Sequence, residues 1–577
     1  MSSNARINFL LIGFFLIGIL IASRLFYWQV LAAEELALVG EKQYWISFEI
    51  PAKRGEILAQ DGFPLAANKE AFLIFASIPD LRQAPEKIAA KIAPFLVAEK
   101  DDSQEGKQGQ LEETEEIIKE RLNRQDLVWV PLKHRVSRET KKILENLEIE
   151  GIGFEEEQTR NYPEGSSAAH LLGFVGSDVN GQDKGYFGLE GYYDLELKGR
   201  PGVVRREKDA SGKPILVGEI SGQEQKDGRT LVTTIDRTVQ FIIEEKLKAG
   251  LERYGAVSGS VTLMDPKTGA ILGMISLPVY NPESFFDFNK ELFPNPVIAS
   301  SYEPGSTFKV LVMAAALDAE VVKPDTRCDQ CSGPRQIADY SIKTYNNQYY
   351  PQSTMTEVIG HSDNVGMVFV TEKLGLEKSF FYLEKFGLGQ PTGIDLEGEI
   401  TPALRPKNQW RKIDLATVSF GQGIAATPLQ MVRAVGAIAN GGYLVKPFVV
   451  KKVIDKKGET EIFPRETEKV IKPSTARIMT EMMVNATEKA WFDQLKPKGF
   501  KIATKTGTAQ IPIAGHYDEE KTIASCIGFA PADNSRFVML VTLQEPTSSP
   551  WGANTAAPLW IEIAKELIVY YGIMPDL

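Results

Sequence analysis

Ser306 and Lys309 stand three residues apart in Glu303-Pro304-Gly305-Ser306-Thr307-Phe308-Lys309, a pairing that can do acyl transfer. A serine hydroxyl is a weak nucleophile until a base takes its proton. A lysine is such a base when burial or a neighbouring cation lowers its pKa. Pro304-Gly305 breaks the chain, and the apolar run Val310 to Leu317 reads as a buried helix with Ser306 in its first turn. Positions i and i+3 share a helix face, so Lys309 lies over Ser306. The backbone N–H groups of a first turn lack partners within the helix and can hold a developing oxyanion. By itself S-x-x-K is a weak signal, since a chain this long holds it by chance.

Two later stretches carry matching chemistry. In Ser362-Asp363-Asn364 a hydroxyl and a carboxamide can project from a turn into a cleft. The Ser362 hydroxyl both donates and accepts, so it can relay a proton between Lys309 and a leaving amine. Asn364 can fix the lysine and hold a substrate amide. Ser, Asp and Asn are also the usual helix caps, and that plainer reading competes. Lys505-Thr506-Gly507-Thr508 follows the alternating Phe500-Lys501-Ile502-Ala503 and reads as a strand end carrying an ammonium and two hydroxyls. That set suits a carboxylate-ended substrate laid along the strand. Gly507 has no Cβ, so a substrate backbone can come close, and the Thr508 N–H is a second oxyanion donor beside that of Ser306. The competing reading is an exposed Lys/Thr-rich strand end.

Elements that would position these groups follow along the chain. Ile7 to Ala22 is nearly all apolar and, with Leu25-Phe26-Tyr27-Trp28, reaches bilayer-spanning length. The aromatic cluster reads as an interfacial belt that Arg24 can snorkel past. Arg6 before the span and Glu34-Glu35 after it place the short tail inside. A signal peptide cut near Val30-Leu31-Ala32 is the rival reading. Its apolar region is too long and its exit too bulky, which favours an uncleaved anchor. Asp61-Gly62 between two apolar pieces signals a hairpin. From Ala98 to Arg124 the chain is charged: Leu111 to Leu122 fits a solvated helix and the rest an exposed loop. Val128-Trp129-Val130 reads as a strand, and Ser137 to Leu147 as a capped amphipathic helix. The polar piece Ser221 to Gly228 reads as a linker and the main domain boundary. After it come a strand, Leu231 to Asp236, a helix, Thr238 to Ala249, and a hairpin, Ser258 to Met274. Asp325 to Gln352 reads as a polar loop and Thr356 to Val370 as helix. Two strands, Ile523 to Phe529 and Arg536 to Leu543, and a helix, Pro558 to Tyr571, close the domain.

The bulk numbers narrow the classes. The chain has 577 residues, 43% hydrophobic and 24% charged, which is ordinary globular composition. A net charge of -11 argues against a nucleic-acid partner. His134, His170, His361 and His516 are far apart and suggest no metal site. Cys328 and Cys331 form one C-x-x-C without a second pair to complete a zinc site. They are either loop cysteines that pair in an oxidising compartment or, less favoured, a redox site. Cys526 lies in an apolar strand and reads as a small buried hydrophobe.

S-x-x-K, S-x-N and K-T-G in this order resemble the penicillin-recognising acyl-serine transferases. Asp265-Pro266-Lys267-Thr268-Gly269, Gly421-Gln422-Gly423, Thr427-Pro428-Leu429-Gln430 and Ala557-Pro558 look like pieces of the transpeptidase domain. Arg54-Gly55-Glu56-Ile57, Arg160-Asn161-Tyr162-Pro163 and Gly188-Leu189-Glu190-Gly191 look like the pedestal of class B penicillin-binding proteins. Gln60 stands where that pedestal motif often has Asp. The likeness covers nearly the whole chain and is nearest to the septal, cell-division type. It implies an α+β protein: a cytoplasmic tail over 1–6, a transmembrane anchor over 7–30, an elongated mostly-β pedestal over 31–229 and a serine β-lactamase-like transpeptidase domain over 230–577. It implies a peptidoglycan D,D-transpeptidase with no cofactor and no metal, single-pass in the plasma membrane with its catalytic domain on the outer face. Ser306 would attack, with Lys309 as base, Ser362 as relay and Asn364 as orienting amide. Lys505, Thr506, Gly507 and Thr508 would bind the terminal carboxylate, and the N–H groups of Ser306 and Thr508 would form the oxyanion hole. Implied partners are peptidoglycan stem peptides, β-lactams as inhibitors, a membrane glycosyltransferase and division proteins. An elongation-type relative, a β-lactamase or β-lactam sensor, and a catalytically idle scaffold are the competing readings.

Overall fold

The apolar run that begins at Ile7 lies within a helix, Ser3–Phe26, with no polar face to bury. The protein is represented by a computed structural model that describes residues 3–97, 104–124, 126–179, 181–207, 220–462, 467–513 and 516–575. Among these, Ile7–Leu31 is the one helical stretch long and apolar enough to cross a membrane. The Arg24 guanidinium stacks over the rings of Trp28, at 4.6 Å, and Tyr27, at 5.4 Å, so charge and aromatics share one level of the helix. Below it a helix, Ala33–Tyr44, leads into a three-stranded antiparallel sheet of Trp45–Ile50, Gly202–Glu207 and Ile220–Gln223. Together, residues 1–54 and 198–228 form one compact unit. The polar piece expected as a linker is thus partly sheet: Arg200 and Lys226 exchange backbone hydrogen bonds of 2.7 and 2.9 Å. Backbone pairing, rather than any side-chain pattern, orders it.

A second unit holds residues 55–197 and 229–577. Its N-terminal part is built on the strand Pro64–Ser77, which follows Ile57–Leu58 through a hairpin at Asp61-Gly62. Gly62 adopts φ +86° and the Phe63 N–H donates to Asp61 Oδ1 at 3.0 Å, the turn chemistry that D-G predicts. Pro64–Ser77 pairs on its two edges with Trp129–Val136 and Ile152–Asn161. The charged stretch corrects one expectation. It forms a helix over Gln104–Leu122 that is not merely solvated. Ile118 and Leu122, four residues apart, bury against Ile88, Ile92 and Leu132. The pedestal-like motifs also meet: Arg160 Nε donates to Glu190 Oε1 at 2.6 Å with both side chains buried. Removing either partner would strand a buried charge.

The C-terminal part supplies the site. Its elements are α1 (Arg237–Tyr254), β1 (Ser258–Met264), β2 (Ile271–Leu277), α2 (Lys309–Asp318), α3 (Met355–Gly360), α4 (Asn364–Lys385), α5 (Pro428–Ala439), α6 (Pro473–Glu488), β3 (Ala503–Ile513), β4 (His516–Ala530), β5 (Phe537–Gln544) and α7 (Ala556–Tyr570). The sheet order is β2-β1-β5-β4-β3, antiparallel throughout, which leaves β3 on the edge. Alternation along the strands divides two cores. Val261, Leu263, Val541 and Leu543 meet Val239, Ile243 and Leu247 of α1 and Leu559, Trp560 and Ile563 of α7. Met264, Val538, Leu540 and Ile527 face α2, α4 and α5. Burying each such side chain contributes about 1.5–3 kcal/mol, so the layers hold the edge strand and the helices in fixed relation. Helix α2 is apolar on every side because every side is packed: Val310 to Leu317 are all buried.

Gln60 donates to Asp236 Oδ2 at 2.8 Å. Asp236 also caps α1 through the N–H groups of Thr238 and Val239 and accepts from Tyr570. The amide at position 60 therefore joins the hairpin to α1 and α7. Between α2 and α3, the stretch read as loop carries a short hairpin, Arg335–Ile337 with Tyr340–Ile342. Cys328 and Cys331, both buried in this connection, are joined as a disulfide. Cys526 is buried on β4 and its thiol is free.

Candidate active site

Gly305–Phe308 forms a 3-10 turn ahead of α2, so Ser306 sits just before the α-helix rather than within it. Gly305 has φ +57°, and a Cβ there would stand 2.8 Å from the Thr508 carbonyl oxygen. Its N–H donates to Gly421 O at 3.0 Å. A Cβ on Gly507 would meet Thr307 Cγ2 at 2.8 Å and Pro304 O at 3.0 Å. Glycine at 305 and 507 thus lets the serine turn lie directly against β3. Thr307 Oγ1 donates back to Pro304 O at 2.7 Å and tightens the turn. Ser306 itself is half-buried, Lys309 fully buried.

Lys309 Nζ contacts Ser362 O at 2.6 Å, Asn364 Oδ1 at 2.7 Å and Ser362 Oγ at 3.1 Å. Lys505 Nζ contacts Ser362 Oγ at 3.0 Å and Thr506 O at 3.0 Å. The Ser362 hydroxyl therefore bridges two lysine nitrogens. Asn364 Nδ2 donates to Lys343 O at 3.0 Å, which fixes its amide oxygen toward Lys309. Ser362 pays for this position with a left-handed backbone, φ +56°, unusual for a residue with a Cβ. Asp363 accepts from the N–H groups of Val365, at 2.8 Å, and Gly366, at 3.2 Å. The two readings of Ser-Asp-Asn are thus divided among its residues: Asp363 is the helix cap, while Ser362 and Asn364 face the lysine.

Burial, then the nearby Lys505 charge, pushes Lys309 well below the ordinary lysine range; Asp363 opposes the shift. Burial takes Lys505 down to about 8. Burial raises the Asp363 carboxyl. Two amines close together cannot both hold protons cheaply, so one charged Lys505 favours a neutral Lys309. A neutral amine has two N–H donors, matched by Ser362 O and Asn364 Oδ1, and a lone pair free to accept a proton.

K-T-G-T lies near the start of β3, with the strand continuing to Ile513, rather than at a strand end. Lys505, Thr506, Gly507 and Thr508 pair with Ile527, Cys526, Ser525 and Ala524. Thr504 N–H donates to Thr487 Oγ1 of α6 at 2.9 Å and anchors the segment from behind. Thr508 Oγ1 accepts from the Gly552 N–H at 3.0 Å. Tyr345 and Trp551, both exposed, meet edge to face at 5.5 Å beside these contacts. Three supporting groups escaped sequence reasoning. Glu303 Oε1 accepts from the Gly423 N–H at 3.0 Å and ties the serine turn to the Gly421-Gln422-Gly423 loop. The others are the Lys343 carbonyl and Gly552. Backbone groups leave no trace in residue type; Glu303 alone, within the motif, offered a signal.

The penicillin binding protein transpeptidase domain matches residues 259–568, and the penicillin-binding protein dimerisation domain matches residues 49–233. Stage V sporulation protein D of Bacillus subtilis is 33% identical over 99% of this chain and 86% of its own. Peptidoglycan D,D-transpeptidase FtsI of Escherichia coli is 31% identical over 78% of this chain and 73% of its own. Among solved structures, a peptidoglycan synthetase from Bifidobacterium adolescentis is similar with TM-score 0.73 and 25% identity, covering 92% of this chain and 98% of that one. Penicillin binding protein 3 from Mycobacterium tuberculosis, complexed with aztreonam, gives TM-score 0.68 at 25% identity, covering 92% and 98%. The fold and the match define a serine acyltransferase of the penicillin-binding type. The chain belongs to the class B penicillin-binding proteins, the peptidoglycan D,D-transpeptidase family.

Proposed function

We propose that Ser306 is the nucleophile of a membrane-anchored D,D-transpeptidase that cross-links peptidoglycan stem peptides during septal wall synthesis. The observation that carries the reading is the Ser362 hydroxyl held between Lys309 and Lys505 beside the Ser306 turn. Ser306 Oγ attacks the D-Ala-D-Ala carbonyl carbon as its proton passes to neutral Lys309. The N–H groups of Ser306 and Thr508 receive the oxyanion. As the C–N bond breaks, the proton returns through Ser362 to the leaving D-alanine amine, and an ester to Ser306 remains. An amine of a neighbouring stem then attacks the ester, loses its proton along the same path, and frees Ser306. Protonated Lys505, with Thr506 and Thr508, binds the terminal carboxylate. β-Lactams acylate Ser306 as substrate mimics.

The same reading places 1–6 in the cytoplasm, 7–30 as a single-pass anchor, 31–229 as pedestal and 230–577 outside the membrane as the transpeptidase domain. A membrane glycosyltransferase and division proteins are its partners. Fluorescent penicillin tests it: labelling confined to Ser306 and lost in Ser306→Ala is expected, and equal labelling of that variant refutes the role. Similarity to a sporulation protein along nearly the whole chain favours a second setting, wall made during sporulation. Depletion separates them: filaments mark septal work, whereas normal growth with defective spores marks the other.

A further inference from the structure

The cap of α4 uses only one of the two carboxylate oxygens of Asp363. Oδ1 accepts from the N–H groups of Val365, at 2.8 Å, and Gly366, at 3.2 Å. Oδ2 is shut away from solvent and has no hydrogen-bond partner among the described residues. The residue is 1% exposed. A cap does not require a charge, since the neutral oxygens of Ser, Thr and Asn serve as well. In this protein Thr354 caps α3 and Thr427 caps α5 with hydroxyls. A buried carboxylate with an unused oxygen is costly unless an opposite charge lies close.

Lys309 can supply that charge. The residues on either side of Asp363 both hold its nitrogen, Ser362 O at 2.6 Å and Asn364 Oδ1 at 2.7 Å, and Lys309 is fully buried. Each group bears on the other: the carboxylate raises the affinity of Lys309 for a proton, and Lys309 pulls the carboxyl down, both against burial. Lys505 faces Lys309 from β3 and works the other way. His361, stacked on Tyr350 at 3.9 Å, also bears on Asp363. Burial pushes the Cys526 thiol up, so β4 adds no charge behind Lys505. Neutral Lys309 needs no counter-ion. As Ser306 Oγ bonds to the carbonyl carbon, its proton bonds to the Nζ lone pair, and a positive charge appears in a fully buried place. An interaction that strengthens only as charge develops lowers the barrier rather than binding the substrate.

We propose that Asp363 is a positioning residue for acyl transfer, whose buried carboxylate stabilises the Lys309 ammonium formed as Ser306 is acylated. This rests on the acyl-transfer reading above. The test uses the full chain in detergent micelles and the second-order rate of acylation by a fluorescent penicillin, from about pH 5 to about pH 9.5. Asp363→Asn and Asp363→Ser keep an acceptor for the two N–H groups and remove the charge. Without the carboxylate Lys309 holds a proton less tightly and stays neutral to lower pH. Both variants are therefore expected to move the acid limb about one pH unit lower and to slow the plateau rate about tenfold. The alkaline limb set by Lys505 stays in place, because burial fixes it. The same displacement is expected in a His361→Gln background, which removes the other titrating neighbour of Asp363. A plateau loss with the acid limb unmoved, as a cap alone would give, overturns the proposal. So do both limbs moving together, a displacement that vanishes with His361, or a wild type with no acid limb. A wild type that penicillin never acylates overturns the acyl-transfer reading and this role together. Normal wild-type acylation with the same profile in both variants overturns this role alone.

Discussion

The Ser362 Oγ atom lies 3.1 Å from one lysine nitrogen and 3.0 Å from another. Burial and then Lys505 push Lys309 well below the ordinary lysine range and favour its neutral form, while in the proposed reaction Lys505 carries its proton to receive a carboxylate. In the free enzyme Lys505 loses that proton as pH rises through about 8. The second-order rate of acylation by a carboxylate-bearing penicillin is therefore expected to fall above that pH, because this constant reports free-enzyme ionisations. Bound carboxylate stabilises the ammonium, so at saturating penicillin the falling limb moves to higher pH. A second-order rate flat through this range contradicts the role of Lys505. Lys505→Ala is expected to weaken capture of the same penicillin by about 10- to 100-fold, the worth of one charge-assisted hydrogen bond. Lys309→Ala, read in the same stopped-flow assay, slows acylation by about a hundredfold or more as the base is lost.

At the scale of elements, the serine turn depends on glycine. Gly305→Ala forces a Cβ into a left-handed residue, at about 1–2 kcal/mol, and against the Thr508 carbonyl. Acylation slowed more than about tenfold is expected, with a melting temperature only a few degrees lower. Unchanged acylation in that variant would show that the turn does not need its seat on β3. Leu122→Ala makes the opposite case. It empties a core position under Pro64–Ser77 and should cost about 2–5 kcal/mol in chemical denaturation while leaving the rate of acylation in place. Much at this scale was legible in residue order. The Asp61-Gly62 turn, the apolar α2 and the strands β1 and β5 follow from local residue order. The Ser306, Lys309, Ser362, Asn364 and Lys505 side chains were all named, and the geometry brings both lysines to the Ser362 hydroxyl, with Asn364 on Lys309. Other features depend on distant partners. Gln104–Leu122 looks solvated because only a few of its residues touch a core that lies elsewhere in the chain. Ile220–Gln223 is ordered by backbone bonds to Gly202–Glu207, which no side chain announces. Glu303, Lys343 and Gly552 act on backbone groups, or through them, far off in sequence.

In the proposed reading this pocket sits on a chain with an apolar N-terminal helix, Ile7–Leu31, long enough to cross a membrane. Net charge is -11, which opposes overall attraction to anionic headgroups, so the proposed attachment relies on the apolar helix. Alkaline carbonate, which strips proteins held by charge, is expected to leave the full chain in the membrane pellet. Recovery in the supernatant contradicts the anchor over 7–30. The most direct measurement for the pocket itself is mass spectrometry of penicillin-treated protein after proteolysis. One adduct is predicted, on the peptide bearing Ser306, and none in Ser306→Ala. An adduct on any other residue, or the same yield of adduct from the variant, would contradict an acyl-serine at the centre of this protein's chemistry.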